Sequence, residues 1–145
     1  MEKPVNVVIQ YKPEGYELYH SGVIGEYYLD VLLKPNDQDT LKDVARGWGG
    51  DTFHIFKNAS CYFLVWESVW DKDDFCSQFF SHFKGFIQRR FGVTFKKGNV
   101  NGIDFIAGRS GKNYFFIMKF KNRIFYVRSD NREQMNRFIY GGHYD

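Results

Sequence analysis

"CYFLVWESVWDKDDFCSQFFSHFKGFIQRRFG" (residues 61–92) is the stretch that decides how this chain folds. Its first ten residues alternate, yet both alternating sets are apolar. Tyr62, Leu64, Trp66 and Trp70 point one way, and Cys61, Phe63, Val65 and Val69 point the other. A strand apolar on both faces belongs inside a sheet that is covered on both sides. The period then changes. Phe75, Phe79, Phe83, Phe86 and Ile87 recur at helical spacing and form one face. Asp71 is the expected N-cap, with Asp73 and Asp74 at the positive end of the helix dipole. Arg89 and Arg90 suit the other end, and Gly92 suits a left-handed stop.

The same reading extends to both sides. "DTFHIFK" (51–57) pairs with the central strand as a hairpin, with "NAS" (58–60) at its tip. Downstream, residues 93–112 are short strands punctuated by Gly98, Gly102, Gly108 and Gly111. "NYFFIMKFKNRIFYVRSD" (113–130) is a hairpin turning at Lys121-Asn122. That turn pairs Phe120 with Arg123, Met118 with Phe125 and Phe116 with Val127. Asp130 and Glu133 are the expected capping box of a short helix whose buried face is Met135, Phe138 and Ile139. Upstream, "VNVVIQ" (5–10) and "YELYHSGVIG" (16–25) read as strands. Residues 26–33 and 36–46 carry helical spacing on either side of Pro35. The expected fold is α+β: an antiparallel sheet of hairpins with two longer helices and a short C-terminal helix packed on it. One domain is expected to span residues 1–145.

Composition agrees with a packed globule. Aromatic residues make up 20% of the chain, too many for a disordered one. The net charge of +3 hides a division. Residues 1–83 hold 7 Lys/Arg against 13 Asp/Glu, whereas residues 84–137 hold 13 against 3. The basic residues are spread along the second half, so the two halves can neutralise each other across one fold. No signal peptide is visible at the start, and no window reaches the ~20 apolar residues of a membrane span. Two cysteines do not make a disulfide framework.

Motifs for chemistry are scarce. The chain has no nucleophile elbow, Walker loop, zinc-protease helix, EF-hand or paired C-x-x-C. His20, His54, His82 and His143 show no ligand spacing, and no metal or other cofactor is expected. "DKDD" (71–74) is explained by helix capping. An enzyme, hydrolase-like and without a recognisable motif, needs Asp51, His54 and Cys61 or Glu67 to converge in one pocket. "KNYFFIMKF" (112–120) matches the RNA-recognition signature only at Lys112, Tyr114, Phe116 and Ile117.

"GWGGD" (47–51) is the remaining concentration of unusual residues. It reads as a helix stop at Gly47, a tryptophan latch at Trp48, and a chain reversal at Gly49 and Gly50. Asp51 then bonds local backbone N–H groups. With Ile24, Gly25 and Glu26, the leucines at 29, 32 and 33, and Leu64, Val65, Trp66, Trp70, Asp71, Asp74 and Phe75, it makes a pattern over residues 16–80. In this pattern the chain resembles an uncharacterised family of bacterial and archaeal modules, many in proteins predicted to be secreted or lipid-anchored. The resemblance implies a compact module, extracytoplasmic in setting, and transfers no activity. It departs from that family in lacking a longer N-terminal region and an alanine-rich stretch before the motif.

The leading expectation is a non-enzymatic module that binds a protein or small-molecule partner through an aromatic-lined surface. Trp48, Trp66 and Trp70, with Tyr62 nearby, are its expected cleft. The alternative is nucleic-acid or anionic-lipid binding by the basic half, through Lys119, Lys121, Arg123, Arg128 and Arg132.

Overall fold

The computed structural model describes residues 5–26 and 47–141. Seven strands form one antiparallel sheet: β1 Glu17–Gly22, β2 Trp48–Lys57, β3 Tyr62–Trp70, β4 Lys96–Val100, β5 Ile103–Ser110, β6 Asn113–Phe120 and β7 Arg123–Ser129. Their order across the sheet is β1-β2-β3-β7-β6-β5-β4. Two helices are present among the described residues, α1 Asp73–Phe91 and α2 Arg132–Tyr140. The expected complement of two longer helices and a short one is therefore corrected. A seven-stranded sheet dominates, with one helix of 19 residues and one of 9. The helical spacing over 26–33 and 36–46 falls almost wholly outside the described residues.

The strand apolar on both sides is interior, between β2 and β7. Trp66 and Trp70 face α1, where Cys76, Phe79, Phe83 and Ile87 meet them. Phe63 and Val65 face α2, where Met135, Phe138 and Ile139 meet them. Period-two alternation thus feeds two cores from one strand. The β6–β7 hairpin has the expected register, Phe120 with Arg123, Met118 with Phe125 and Phe116 with Val127. Its turn holds Lys121 at φ 57, the positive sign that a two-residue hairpin loop requires.

Three local expectations are corrected. Residues 5–10 form no strand; Val5 N–H donates to the Gly49 carbonyl, and Thr52 Oγ1 donates to the Val7 carbonyl. Lys72, not Asp71, is the N-cap of α1, and it makes no side-chain cap bond. Asn131, not Asp130, caps α2 by accepting from Gln134 N–H. Asp130 instead accepts from Tyr62 N–H, so a strand contact replaces the capping box, and Glu133 pairs with Arg137. At the far end of α1, Gly92 is left-handed at φ 68 and donates to the Gln88 carbonyl, as its position predicts.

The glycines of "GWGGD" allow close approach, and the helix expected to stop at Gly47 lies outside the described residues. A Cβ on Gly47 would lie 2.4 Å from the Phe75 ring, and one on Gly50 would lie 2.3 Å from the Val5 carbonyl oxygen. Gly92 has open space around it and only its φ to defend. Gly47→Ala is therefore expected to cost about 2 kcal/mol or more through overpacking, and Gly92→Ala about 1 kcal/mol. Urea unfolding of the two variants checks the order; equal losses contradict it.

Candidate functional site

Asp51 is only 3% exposed and carries no cationic partner in an ion pair among the described residues. It is satisfied instead by four N–H donors. Oδ1 accepts from Gly25 N–H at 2.9 Å and from Trp48 Nε1 at 3.0 Å. Oδ2 accepts from Ile24 N–H at 2.7 Å and from Trp66 Nε1 at 2.8 Å. Two lone pairs on each oxygen are thereby filled. The carboxylate joins the exit of β1, the start of β2 and the middle of β3. It is a structural centre: its oxygens are already used, so none faces a substrate.

The expected tryptophan cleft is not assembled as one surface. Trp70 is 0% exposed, stacks on Phe79 at 4.6 Å between centroids, and donates from Nε1 to Ser68 Oγ. Trp66 is 5% exposed and meets Phe79 and Phe83 edge-on. Trp48 is half-buried and bound to Asp51. Tyr62, also half-buried, lies further along β3, with its hydroxyl bonded to Asn113 Oδ1. Indole rings are large enough that their N–H groups, as much as their surfaces, are consumed by the fold.

One member of the set does border a cavity. An apolar groove of about 520 Å³ runs beside the second half of α1. Phe53, Ile55, Leu64, Trp66 and Tyr126 floor it, and Phe83, Phe86, Ile87 and Phe91 wall it. It arises because α1 lies over β3, β7 and β6 and, among the described residues, does not reach the β2 side of the same face. Ile24 closes the end nearest Asp51. Arg128 stands by the other end, directly across β3–β7 from Leu64. Burial raises the phenols of Tyr62 and Tyr126, and the Arg128 charge opposes that rise in both.

The basic residues of the second half divide between the two faces. Lys119 and Arg128 lie on the α1 side with Ile117 and Tyr126; Arg123 lies on the α2 side with Phe125. Lys119 is paired with Asp73 at 2.6 Å and Arg123 with Glu67 at 2.8 Å. Lys121 sits in the hairpin turn and Arg132 on α2. These five make no single patch. A different basic depression, of about 620 Å³, lies between α2 and the β4–β6 edge. Lys96, Arg109 and Arg132 ring it with Tyr114 and Tyr140, over a floor that includes Phe105 and Met135. The sequence signal for it is the period-two placement of Lys96, Ala107, Arg109 and Tyr114 on one face, legible only once the register is known.

The residues required for an enzyme do not converge. Asp51 is on the α1 face, whereas its strand neighbours Thr52 and His54 are on the other, with Glu67 opposite Thr52. Cys61 is at the far end of the hairpin, close to Asn131. Glu67 is buried, and burial raises its carboxyl pKa while Arg123 works against the rise. His54 is lowered by burial. Both cysteines are free thiols, and burial pushes Cys76 up to about 12, far from a reactive thiolate. Among the described residues no cluster of His, Cys, Asp and Glu has a metal-binding arrangement.

Asp51→Asn is expected to cost about 2–4 kcal/mol, because the amide nitrogen would face two N–H donors with a third and fourth donor of its own. Trp66→Phe removes one donor and keeps the ring, and is expected to cost about 1–2 kcal/mol. Urea unfolding gives both values, and an Asp51→Asn protein as stable as the parent refutes the hub.

No curated protein matches this chain. A family model described as a domain of unknown function (DUF8575) matches residues 16–136. That span contains the entire sheet, all of α1, the Asp51 centre and the first part of α2. The chain belongs to this family of domains of unknown function.

Proposed function

We propose that this chain is a non-enzymatic binding module and that its ligand surface is the apolar groove beside α1. The observation that carries this reading is the groove's lining, aromatic or aliphatic at every described position, on a domain whose described titratable side chains are dispersed or already paired. A concave apolar surface of a few hundred Å³ suits a small molecule or a short apolar segment of a partner. The uncharged residues around it offer shape and dispersion, not bond-breaking chemistry. The finer family assignment also belongs here. Ile24, Gly25, Trp48 and Trp66, which carry the resemblance to the bacterial and archaeal "GWGGD" modules, all donate to Asp51. Such a fingerprint reports a folded frame around the groove rather than the ligand.

A second reading rests on the depression under α2. Its Lys96, Arg109 and Arg132 beside two tyrosines suit an anionic strand or headgroup. It requires binding to single-stranded DNA or acidic vesicles that weakens steeply with salt and is lost in Arg109→Ala/Arg132→Ala.

The leading reading is tested with Nile red, a neutral dye that brightens in apolar sites. The folded chain is expected to bind it at one saturable site. Phe86→Glu places a charge on the half-buried groove wall and is expected to lower affinity at least about tenfold without a matching loss of fold by circular dichroism. Unchanged dye binding in that variant overturns the assignment.

A further inference from the structure

The depression between α2 and the β4–β6 edge gathers exposed cations without gathering acids. Lys96 comes from β4, Arg109 from β5 and Arg132 from the first residue of α2. All three are exposed, and among the described residues none of them joins an ion pair, in contrast to Lys119, Arg123 and Arg137. The described lining includes no carboxylate. Acids of the same elements are engaged elsewhere. Asp104 of β5 accepts from Asn99 Nδ2 on the opposite face of the sheet, and Glu133 of α2 pairs with Arg137. Protection against strand addition explains a lysine on an edge strand. It does not explain Arg109 and Arg132, because β5 is interior and α2 is a helix. Arg109 is also held in place. Its Nε donates to the Gly111 carbonyl at 2.9 Å, and its guanidinium carbon lies 5.7 Å from the Tyr114 ring centroid. Those contacts leave the two terminal amino groups as donors. Beside the cations the floor is apolar, with Phe105, Met135 and Ile139 buried, and Tyr140 stands 63% exposed at the rim.

We infer that this depression takes a short stretch of single-stranded nucleic acid. Its phosphates meet Lys96, Arg109 and Arg132, and a base lies on Tyr140 and the apolar floor. This rests on the second reading above, that the depression is an anion site. Three features select this occupant. A volume of about 620 Å³ is more than an inorganic anion needs and leaves room for a ring beside the charge. The cations come from two strands and a helix around a recess, so a flat bilayer surface would meet only the rim. An exposed tyrosine stands beside them, which an acidic peptide does not require and a base does. Along a single strand, phosphates alternate with bases whose faces are open, the same juxtaposition of cation and aromatic ring that the depression offers. A duplex turns those faces inward and presents phosphates alone. Dependence on both charge and base is thus the signature of this site.

The experiment measures binding of the full chain to a fluorescein-labelled thymidylate decamer by anisotropy, over a range of salt. The logarithm of the affinity is expected to fall with the logarithm of salt at a slope of about −2, from three phosphate contacts at about −0.7 each. Arg109→Gln and Arg132→Gln are each expected to weaken binding and to bring the slope about 0.7 closer to zero. Tyr140→Leu is expected to lower affinity for the decamer about fivefold or more, the scale of one lost stack, and to leave an abasic strand of the same length unchanged. Lys121→Gln, in the turn of the β6–β7 hairpin, is expected to change neither affinity. Circular dichroism confirms that each variant is folded, and Lys96→Gln repeats the charge test should either arginine variant fail to fold. A decamer bound no more tightly than the abasic strand, no loss in Tyr140→Leu, or tighter binding to phosphatidylserine vesicles or polyglutamate overturns the nucleic-acid assignment while the anion reading stands. Absence of salt-dependent binding to all four probes overturns both.

Discussion

A carboxylate removed from water at the edge of a sheet must be satisfied or the fold fails around it. Asp51 meets that constraint with two backbone amides and two indoles, and the rest of the molecule is arranged so that they arrive. Ile24 and Gly25 come from just beyond the end of β1, Trp48 from the first residue of β2 and Trp66 from the middle of β3. Each glycine of "GWGGD" then makes room for a neighbour: Gly47 for Phe75 of α1, Gly49 for the end of β3, Gly50 for residue 5. The motif is a packing solution organised around one acid.

With that corner fixed, the position of α1 follows, and with it the groove. The helix lays Phe79, Phe83 and Ile87 over the centre of the sheet, where Trp66, Trp70 and Tyr126 receive them. Its 19 residues are anchored at the start by Gly47 against Phe75 and stopped at the end by Gly92. It cannot also cover Phe53 and Ile55. The strip between helix and β2 that the described residues leave open is thus a consequence of where the helix is pinned.

Much of this was legible from residues alone. The double apolar alternation of 61–70 identified an interior strand, because a strand greasy on both sides has no stable place at a half-exposed position. The spacing of Phe75, Phe79, Phe83 and Ile87 identified α1, and the β6–β7 register followed from a two-residue turn. The misreadings share a cause. Asp71 and Asp130 are good caps by type, but each cap position was taken by a neighbour; Asp130 was drawn instead to Tyr62 across the sheet. Residues 5–10 have strand composition, yet they run where Gly49, Gly50 and Thr52 leave backbone and side-chain groups to bond. Local propensity was outcompeted by partners distant in sequence.

The sequence by itself determined periodicity, and hence which residues could share a face and which strand had to be interior. Period and turn chemistry are local properties, so they survive without a partner. Only the tertiary structure decided what each face would meet. It buried Trp70, bound Trp48 and Trp66 to Asp51, and split the basic residues of the second half between two sides of the sheet. Those outcomes depend on strand order and helix placement, which bring together residues as far apart as Ile24, Asp51, Phe91 and Arg128. No pattern within a short window carries that information.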